Sequence, residues 1–277
     1  MQKHEKKYSE MSNISETLFI PIWARAEETE RQDSLVQDTY AVRILGAFDG
    51  IREKYRGSWL SQLSIAVRTR SLDRVVSRFL AAHPRGTVIT LGCGFDARSR
   101  RLDNGLACWV DVDLPEVMEQ RRKYFADSQR HISIAGSALD PAWTAAVPDR
   151  EEPVLAILEG LLMYFSPDKV RGILDILGAA FPGLECCFDV IAARYVGRAH
   201  KHDTVSKCAA PFLWGAECFE DVLAVRPGLT LLRQRDFFDC PAHRMRWLRF
   251  FRWVRSFKTA CQIFHVRFDG LRTSLAG

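Results

Sequence analysis

The chain has 277 residues, 47% of them hydrophobic and 26% charged, with a formal net charge of +5. This composition excludes a disordered polymer or a fibrous repeat, and the length suits one sizeable core with room for a cap. The mild positive charge admits an acidic small molecule and does not demand nucleic acid.

Residues 1–15 are polar, lack the apolar core of a secretory leader and are expected to be a mobile N-terminus. Thr17 to Gly50 reads as helix in two pieces, with a polar break near Gln32-Asp33-Ser34. Apolar residues at helical spacing (Leu60, Leu63, Ala66, Val67, then Leu72, Val75, Val76, Phe79) predict a helix over Trp59–Ala82, stopping before Pro84-Arg85-Gly86. Strands and helices then alternate. Thr87–Leu91, Ala107–Val112, His131–Ala135, Val154–Leu158 and Leu184–Val190 read as strands. Pro115–Ala126 and Asp168–Ala180 read as helices, the first with proline in its first turn. The alternation predicts an α/β fold with a parallel, doubly wound sheet.

Residues 191–211 break the pattern with a polar, basic stretch that includes Arg194, His200 and His202. Following a strand tip, it is expected to overhang a ligand crevice. Glu217–Val225 reads as a short helix, Leu229–Phe237 and Cys261–Phe268 as strands, and Ala242–Phe257 as a helix. That last helix is rich in arginine and aromatics. Its expected packing buries Trp247, Phe250, Phe251 and Val254 as one stripe with the arginines outside, so it gives no nucleic-acid or membrane partner. The longest apolar run, Val154 to Phe165, is interrupted by Glu159 and too short to span a bilayer. The eight cysteines form no C-x-x-C pair, and Cys186-Cys187 would point to opposite faces of a strand. They read as free thiols of a cytoplasmic protein, not as a metal site.

Gly92-Cys93-Gly94, directly after an apolar strand, is a turn where backbone can press against a ligand. About twenty residues on, Asp113 ends a second strand, where a carboxylate can accept both hydroxyls of a ribose. The same residue could cap the helix that follows. An acid at Asp96 stands where a dinucleotide's pyrophosphate would sit, so the pattern points to a nucleoside cofactor without phosphates. S-adenosylmethionine fits. Glu159, at the end of an apolar strand, is costly unless it has a partner, and reads as either a salt bridge or a contact to the cofactor's cationic end. Tyr164 reads as core packing or as a wall of the substrate pocket.

Four segments resemble the leucine carboxyl methyltransferase family, closest to its bacterial branch of polyketide-synthesis O-methyltransferases. They are Glu16-Thr17-Leu18 through Trp23-Ala24-Arg25-Ala26, Leu91-Gly92-Cys93-Gly94-Phe95-Asp96-Ala97-Arg98, Val112-Asp113-Leu114-Pro115-Glu116-Val117 and Leu158-Glu159-Gly160-Leu161-Leu162-Met163-Tyr164. The resemblance implies a Rossmann-like class I methyltransferase: a seven-stranded, mostly parallel sheet with its last strand antiparallel and an N-terminal helical cap. It divides one domain, 16–277, into a cap and lead-in helix (16–82), a cofactor-binding core (83–190), a substrate-side insertion (191–214) and the rest of the sheet (215–277). It implies that Arg68 holds the cofactor's carboxylate and that Gly92, Asp113 and Glu159 fall on cofactor positions. Where relatives often have Asp-Leu near the adenine, this chain has Ser137-Ala138-Leu139-Asp140, leaving Ser137, Leu139 and Asp140 as candidates.

The expected reaction transfers the sulfonium methyl to an oxygen of a small acidic acceptor. A carboxylate acceptor needs no general base, only positioning, so no residue is singled out as base. Arg25 and Arg194 are the candidate steering cations, with His200 and His202 behind them. A phenol acceptor would instead need a base, for which His200 and His202 are first suspects. A non-catalytic cofactor-binding subunit is the third reading.

Overall fold

The computed structural model describes residues 16–148, 152–198, 204–208, 211–254 and 258–269. A 3-10 turn at Glu16–Leu18 leads into three cap helices, α1 (Phe19–Thr29), α2 (Thr39–Leu45) and α3 (Ile51–Lys54). The long α4 (Trp59–Ala82) connects the cap to β1 (Thr87–Leu91). Then follow α5 (Arg98–Leu102), β2 (Cys108–Asp113), α6 (Pro115–Arg121), β3 (His131–Ala135), β4 (Val154–Leu158), α7 (Pro167–Ala180) and β5 (Glu185–Ile191). The chain ends through α8 (Phe219–Val225), β6 (Leu229–Asp236), α9 (Ala242–Met245) and β7 (Cys261–Phe268).

The seven strands form one sheet in the order β3-β2-β1-β4-β5-β7-β6. The first five run parallel, and β7 is antiparallel to both neighbours. Every residue of β1 and β4 is buried, as central strands covered on both faces require. On one face, Ile89, Ala156, Cys186 and Phe188 pack against Ile173, Leu174 and Leu177 of α7. On the other, Val88, Leu155, Ile157 and Cys187 pack against Leu72, Val75, Val76 and Phe79 of α4. Burying such side chains stabilises by about 1.5–3 kcal/mol each, which fixes α4, and Arg68 with it, against the sheet. The cap builds a separate core in which Trp23, Ile44 and Tyr55 meet Phe95, Met163 and Phe212. Successive strands step outward from β1 to β3, then restart on the other side at β4. The crevice beyond the carboxyl ends of β1 and β4 is therefore the sheet's switch point, the usual ligand site of open parallel sheets.

Two elements depart from the sequence reading. Helix α6 ends at Arg121 instead of Ala126. Tyr124 N and Phe125 N both donate to Arg121 O, at 2.9 and 3.0 Å, and the resulting turn lays the Phe125 ring 4.2 Å from the Arg121 guanidinium. The predicted helix over 242–257 is one α turn, α9, continued by a 3-10 helix over Arg246–Trp253. The burial is the reverse of the expected stripe: Met245 and Leu248 are buried, while Trp247, Phe250 and Val254 are exposed. A 3-10 helix repeats every three residues, not every 3.6, so Met245 and Leu248 form the inner row.

Candidate active site

The turn after β1 is built from backbone. Gly92 N and Cys93 N donate to Val112 O of β2 at 2.8 and 3.1 Å, folding the chain across the sheet's end. Gly92 and Gly94 have φ of +68° and +48°, conformations that disfavour a side chain. A Cβ on Gly92 would also stand 2.6 Å from the Leu161 side chain. Asp113 ties the turn from the neighbouring strand: its Oδ2 accepts from Gly94 N at 2.6 Å and its Oδ1 from Leu114 N at 2.8 Å. Burial raises the Asp113 pKa in spite of both donors. Arg121 braces the turn through Nη1 to Gly94 O at 2.9 Å, and its Nη2 binds Asp111 at 2.5 Å.

Beyond this turn lies a continuous lattice of buried ion pairs. Glu159 accepts from Arg68 Nε at 2.9 Å, Thr69 Oγ1 at 3.2 Å and Arg98 Nη2 at 2.6 Å. Arg68 Nη1 binds Asp189 Oδ2 at 2.9 Å, and Asp189 Oδ1 accepts from Gly160 N at 2.6 Å. Arg98 reaches Asp73 at 2.7 Å and Asp96 at 2.5 Å. Arg101 joins Asp73 to Asp38, and Asp38 holds Arg25 Nε at 2.8 Å. Burial alone would raise the Glu159 pKa, but Arg68 and Arg98 outweigh it and hold the carboxyl well below its usual range. At Asp189 burial wins over Arg68, and the pKa is raised.

These groups face a cavity of about 450 Å³ between the switch point and the cap. Its polar end carries Arg68, Gly92, Gly94, Glu159 and Asp189. Elsewhere apolar and aromatic side chains such as Ile20, Pro21, Phe95, Tyr164, Phe212 and Phe238 predominate, with Ser61, Ser64, Thr204 and Asp96 among them. Arg25 is the other cation on the lining; its Nη2 donates to Phe95 O at 3.2 Å, and its Nη1 bonds no described group. Two nitrogens of Arg68 are committed to carboxylates, while its Nη2 bonds no described group. Tyr164 tilts against Phe212, and burial pushes its phenol pKa up to about 12.

The structure thus brings Arg25, Arg68, Gly92, Gly94, Glu159 and Tyr164 together, with Asp113 one hydrogen bond behind Gly94. It does not bring Arg194 in. That guanidinium is held by Glu217 at 2.7 Å and by Thr259 at 2.9 Å, off the cavity lining, because a nearby carboxylate claims it. Ser137, Leu139 and Asp140 follow β3, beyond Asp113, and also lie off the lining. Ser137 Oγ accepts from Leu139 N, and Asp140 caps the 3-10 helix Pro141–Ala146, so local turns use these side chains. His200 and His202 lie outside the described residues. The sequence reading missed Asp189, although it carries the signal that singled out Glu159, an acid in an apolar strand. It used Asp96 only against a dinucleotide and Arg98 only as part of the glycine-turn motif, and gave neither a place in an ion pair.

The leucine carboxyl methyltransferase family model matches residues 19–178, more than half of the chain. The tetracenomycin polyketide synthesis O-methyltransferase TcmP of Streptomyces glaucescens is 28% identical over 232 residues, covering 83% of this chain and 86% of that one. The S-adenosyl-L-methionine-dependent methyltransferase dpfgK of Gibberella zeae is 28% identical over 180 residues, 59% of this chain and 60% of that one. Among solved structures, a duf574 family protein from Streptomyces avermitilis superposes with a TM-score of 0.63 at 13% identity, over 94% of this chain and 99% of that one, a likeness of fold. The chain belongs to the leucine carboxyl methyltransferase family and is an S-adenosylmethionine-dependent methyltransferase.

Proposed function

We propose that this methyltransferase acts on an oxygen of an apolar, aromatic small-molecule acid and yields its methyl ester. The observation that carries this reading is Arg25. Its guanidinium is on the cavity lining, anchored by Asp38 and the Phe95 carbonyl, and its Nη1 bonds no described group.

The lining fits S-adenosylmethionine. The glycine turn brings bare backbone to the lining at Gly92 and Gly94, Asp113 stands at the strand tip for a ribose, and Glu159 offers a carboxylate to a cation. Arg68 Nη2 is the donor for a cofactor carboxylate. When bound, the cofactor supplies an electrophilic methyl group on a sulfonium.

The chain's own residues supply position and dryness. Arg25 would orient an acceptor carboxylate, a charge-assisted contact worth roughly 1.5–3 kcal/mol. The aromatic walls and the cap exclude water, and alignment alone can supply roughly 7–11 kcal/mol of the barrier. Asp96, Glu159 and Asp189 are each bound to an arginine, and the Tyr164 phenol pKa is near 12. A pre-ionised acceptor needs none of them as a base.

The test offers labelled-methyl S-adenosylmethionine with a panel of aromatic carboxylic acids and phenols. The expected product releases its label as methanol in mild base, as an ester does. Label that stays bound through base treatment would be an ether or a carbon or nitrogen methyl, and would overturn the reading. Arg25→Ala is expected to raise KM for the acid by at least about tenfold, with little change in S-adenosylhomocysteine affinity.

A further inference from the structure

We propose that the 3-10 helix Arg246–Trp253 is a docking face for an anionic membrane surface. In such a helix residues three apart stand directly above one another. Trp247, Phe250 and Trp253 have this spacing and are 56%, 68% and 79% exposed. Val254, next in the chain, is exposed as well. At about 2 Å per residue they form a ridge about 12 Å long. Three large aromatics in one exposed row are unlike the scattered apolar residues of an ordinary surface.

The sequence of this segment carries one sign of charge. No aspartate or glutamate occurs between Asp239 and Asp269, while Arg244, Arg246, Arg249, Arg252, Arg255 and Lys258 all fall in that interval. Arg244 turns inward to Glu28, and Lys258 stands 4.0 Å from Asp236; the sequence of the segment as a whole complements an anionic partner. From Arg244 to Val254 there is no serine, threonine, asparagine or glutamine. Arginine beside tryptophan and phenylalanine, with no acid, is the composition of helices that lie in an anionic membrane interface. Guanidinium and aromatic or aliphatic groups alone suit phosphate headgroups over hydrocarbon. Among the described residues no helix is long and apolar enough to cross a membrane, so the contact is peripheral.

The segment has a second side. Leu248, on the inner row, lines the cavity together with Phe237 and Phe238 just before the helix. Arg244 ties the same segment to cap helix α1 through Glu28. A surface seated on the outer ridge therefore bears on a wall of the chamber and on its cap. The sequence reading that gave no membrane partner assumed a buried stripe, and that premise does not hold.

The full-length protein is sedimented with vesicles of phosphatidylcholine alone and of phosphatidylcholine mixed with phosphatidylglycerol, at low and high salt. The expected result is at least about tenfold tighter binding to the anionic vesicles, weakened by salt. The triple variant Trp247→Ser, Phe250→Ser, Trp253→Ser is expected to lose at least about tenfold of that binding and to keep the wild-type affinity for S-adenosylhomocysteine. The wild-type arms need no variant: failure to sediment with anionic vesicles overturns the proposal. So does binding unchanged in the triple variant. A ridge that instead holds two copies of the chain together, or binds an oligonucleotide, without vesicle binding would also overturn it.

Discussion

Glu159 and Asp189 grip one arginine from two strands, yet their burial differs in a way that separates their roles. The Glu159 side chain retains 9% exposure toward the cavity, while that of Asp189 has none. Glu159 can touch a ligand; Asp189 can act only through Arg68 and the Gly160 amide, as a positioning residue. Glu159→Gln removes the charge, sets one arginine contact donor to donor and leaves the other a neutral acceptor; it is expected to weaken S-adenosylhomocysteine by about 1.5–3 kcal/mol, roughly ten- to a hundredfold, in calorimetry. Asp189→Asn is expected to lose at least about tenfold for S-adenosylhomocysteine and less than about twofold for 5′-methylthioadenosine, which lacks the amino-acid end. A parallel loss for both ligands would reduce Asp189 to support of its strand. Glu159 was legible because an acid in an all-apolar strand demands a partner. The same rule applies to Cys186-Cys187-Phe188-Asp189-Val190, but no glycine turn or second motif marks that strand. The arginines were harder still: Arg98 is 25 residues from Asp73 and 61 from Glu159, and no local pattern announces such pairs.

At the scale of elements, the sheet followed from periodicity and the C-terminal helix did not. Five buried or half-buried strands separated by helices leave few alternatives, and boundaries moved by one residue at β2 and β5. The segment after β6 depended on a contact more than two hundred residues away. Arg244 is drawn in by Glu28 of α1, with Nη1–Oε1 2.6 Å and Nη2–Oε2 2.9 Å, and both side chains are buried. That anchor sets which face turns inward. Breaking it leaves a buried carboxylate with Gln62 and the Leu35 amide as partners. Arg244→Met is therefore expected to cost about 3–5 kcal/mol in urea unfolding. Glu28→Gln, tested in the Arg244→Met background, should recover part of that loss, because the stranded charge is gone. No recovery would mean that the guanidinium mattered by its packing alone.

Across the whole molecule the ion pairs form one path from cap to sheet: Arg25, Asp38, Arg101, Asp73, Arg98, Glu159, Arg68, Asp189. It joins α1, the start of α2, α5, α4, and the ends of β4 and β5, so cap and sheet share charges that neither can leave unpaired. Acid is the natural probe. Glu28, Asp96 and Glu159 have folded pKa values below their ordinary ones. The unfolded chain then binds more protons than the folded one as pH falls below about 4.5. The stability these groups give is present above that pH and is lost as pH drops toward their folded values. Asp113 and Asp189 are shifted the other way, so their contribution falls as pH rises through the interval between ordinary and folded values, opposing part of the trend. Three depressed acids on buried arginines outweigh two raised ones. The melting temperature is expected to fall steeply from pH 5 to pH 3, about these ordinary carboxyl pKa values. Because the lattice crosses the boundary between cap and sheet, near-ultraviolet and far-ultraviolet dichroism should report one coincident transition. A cap that melted first, at higher pH than the sheet, would show that the shared charges do not couple the two parts.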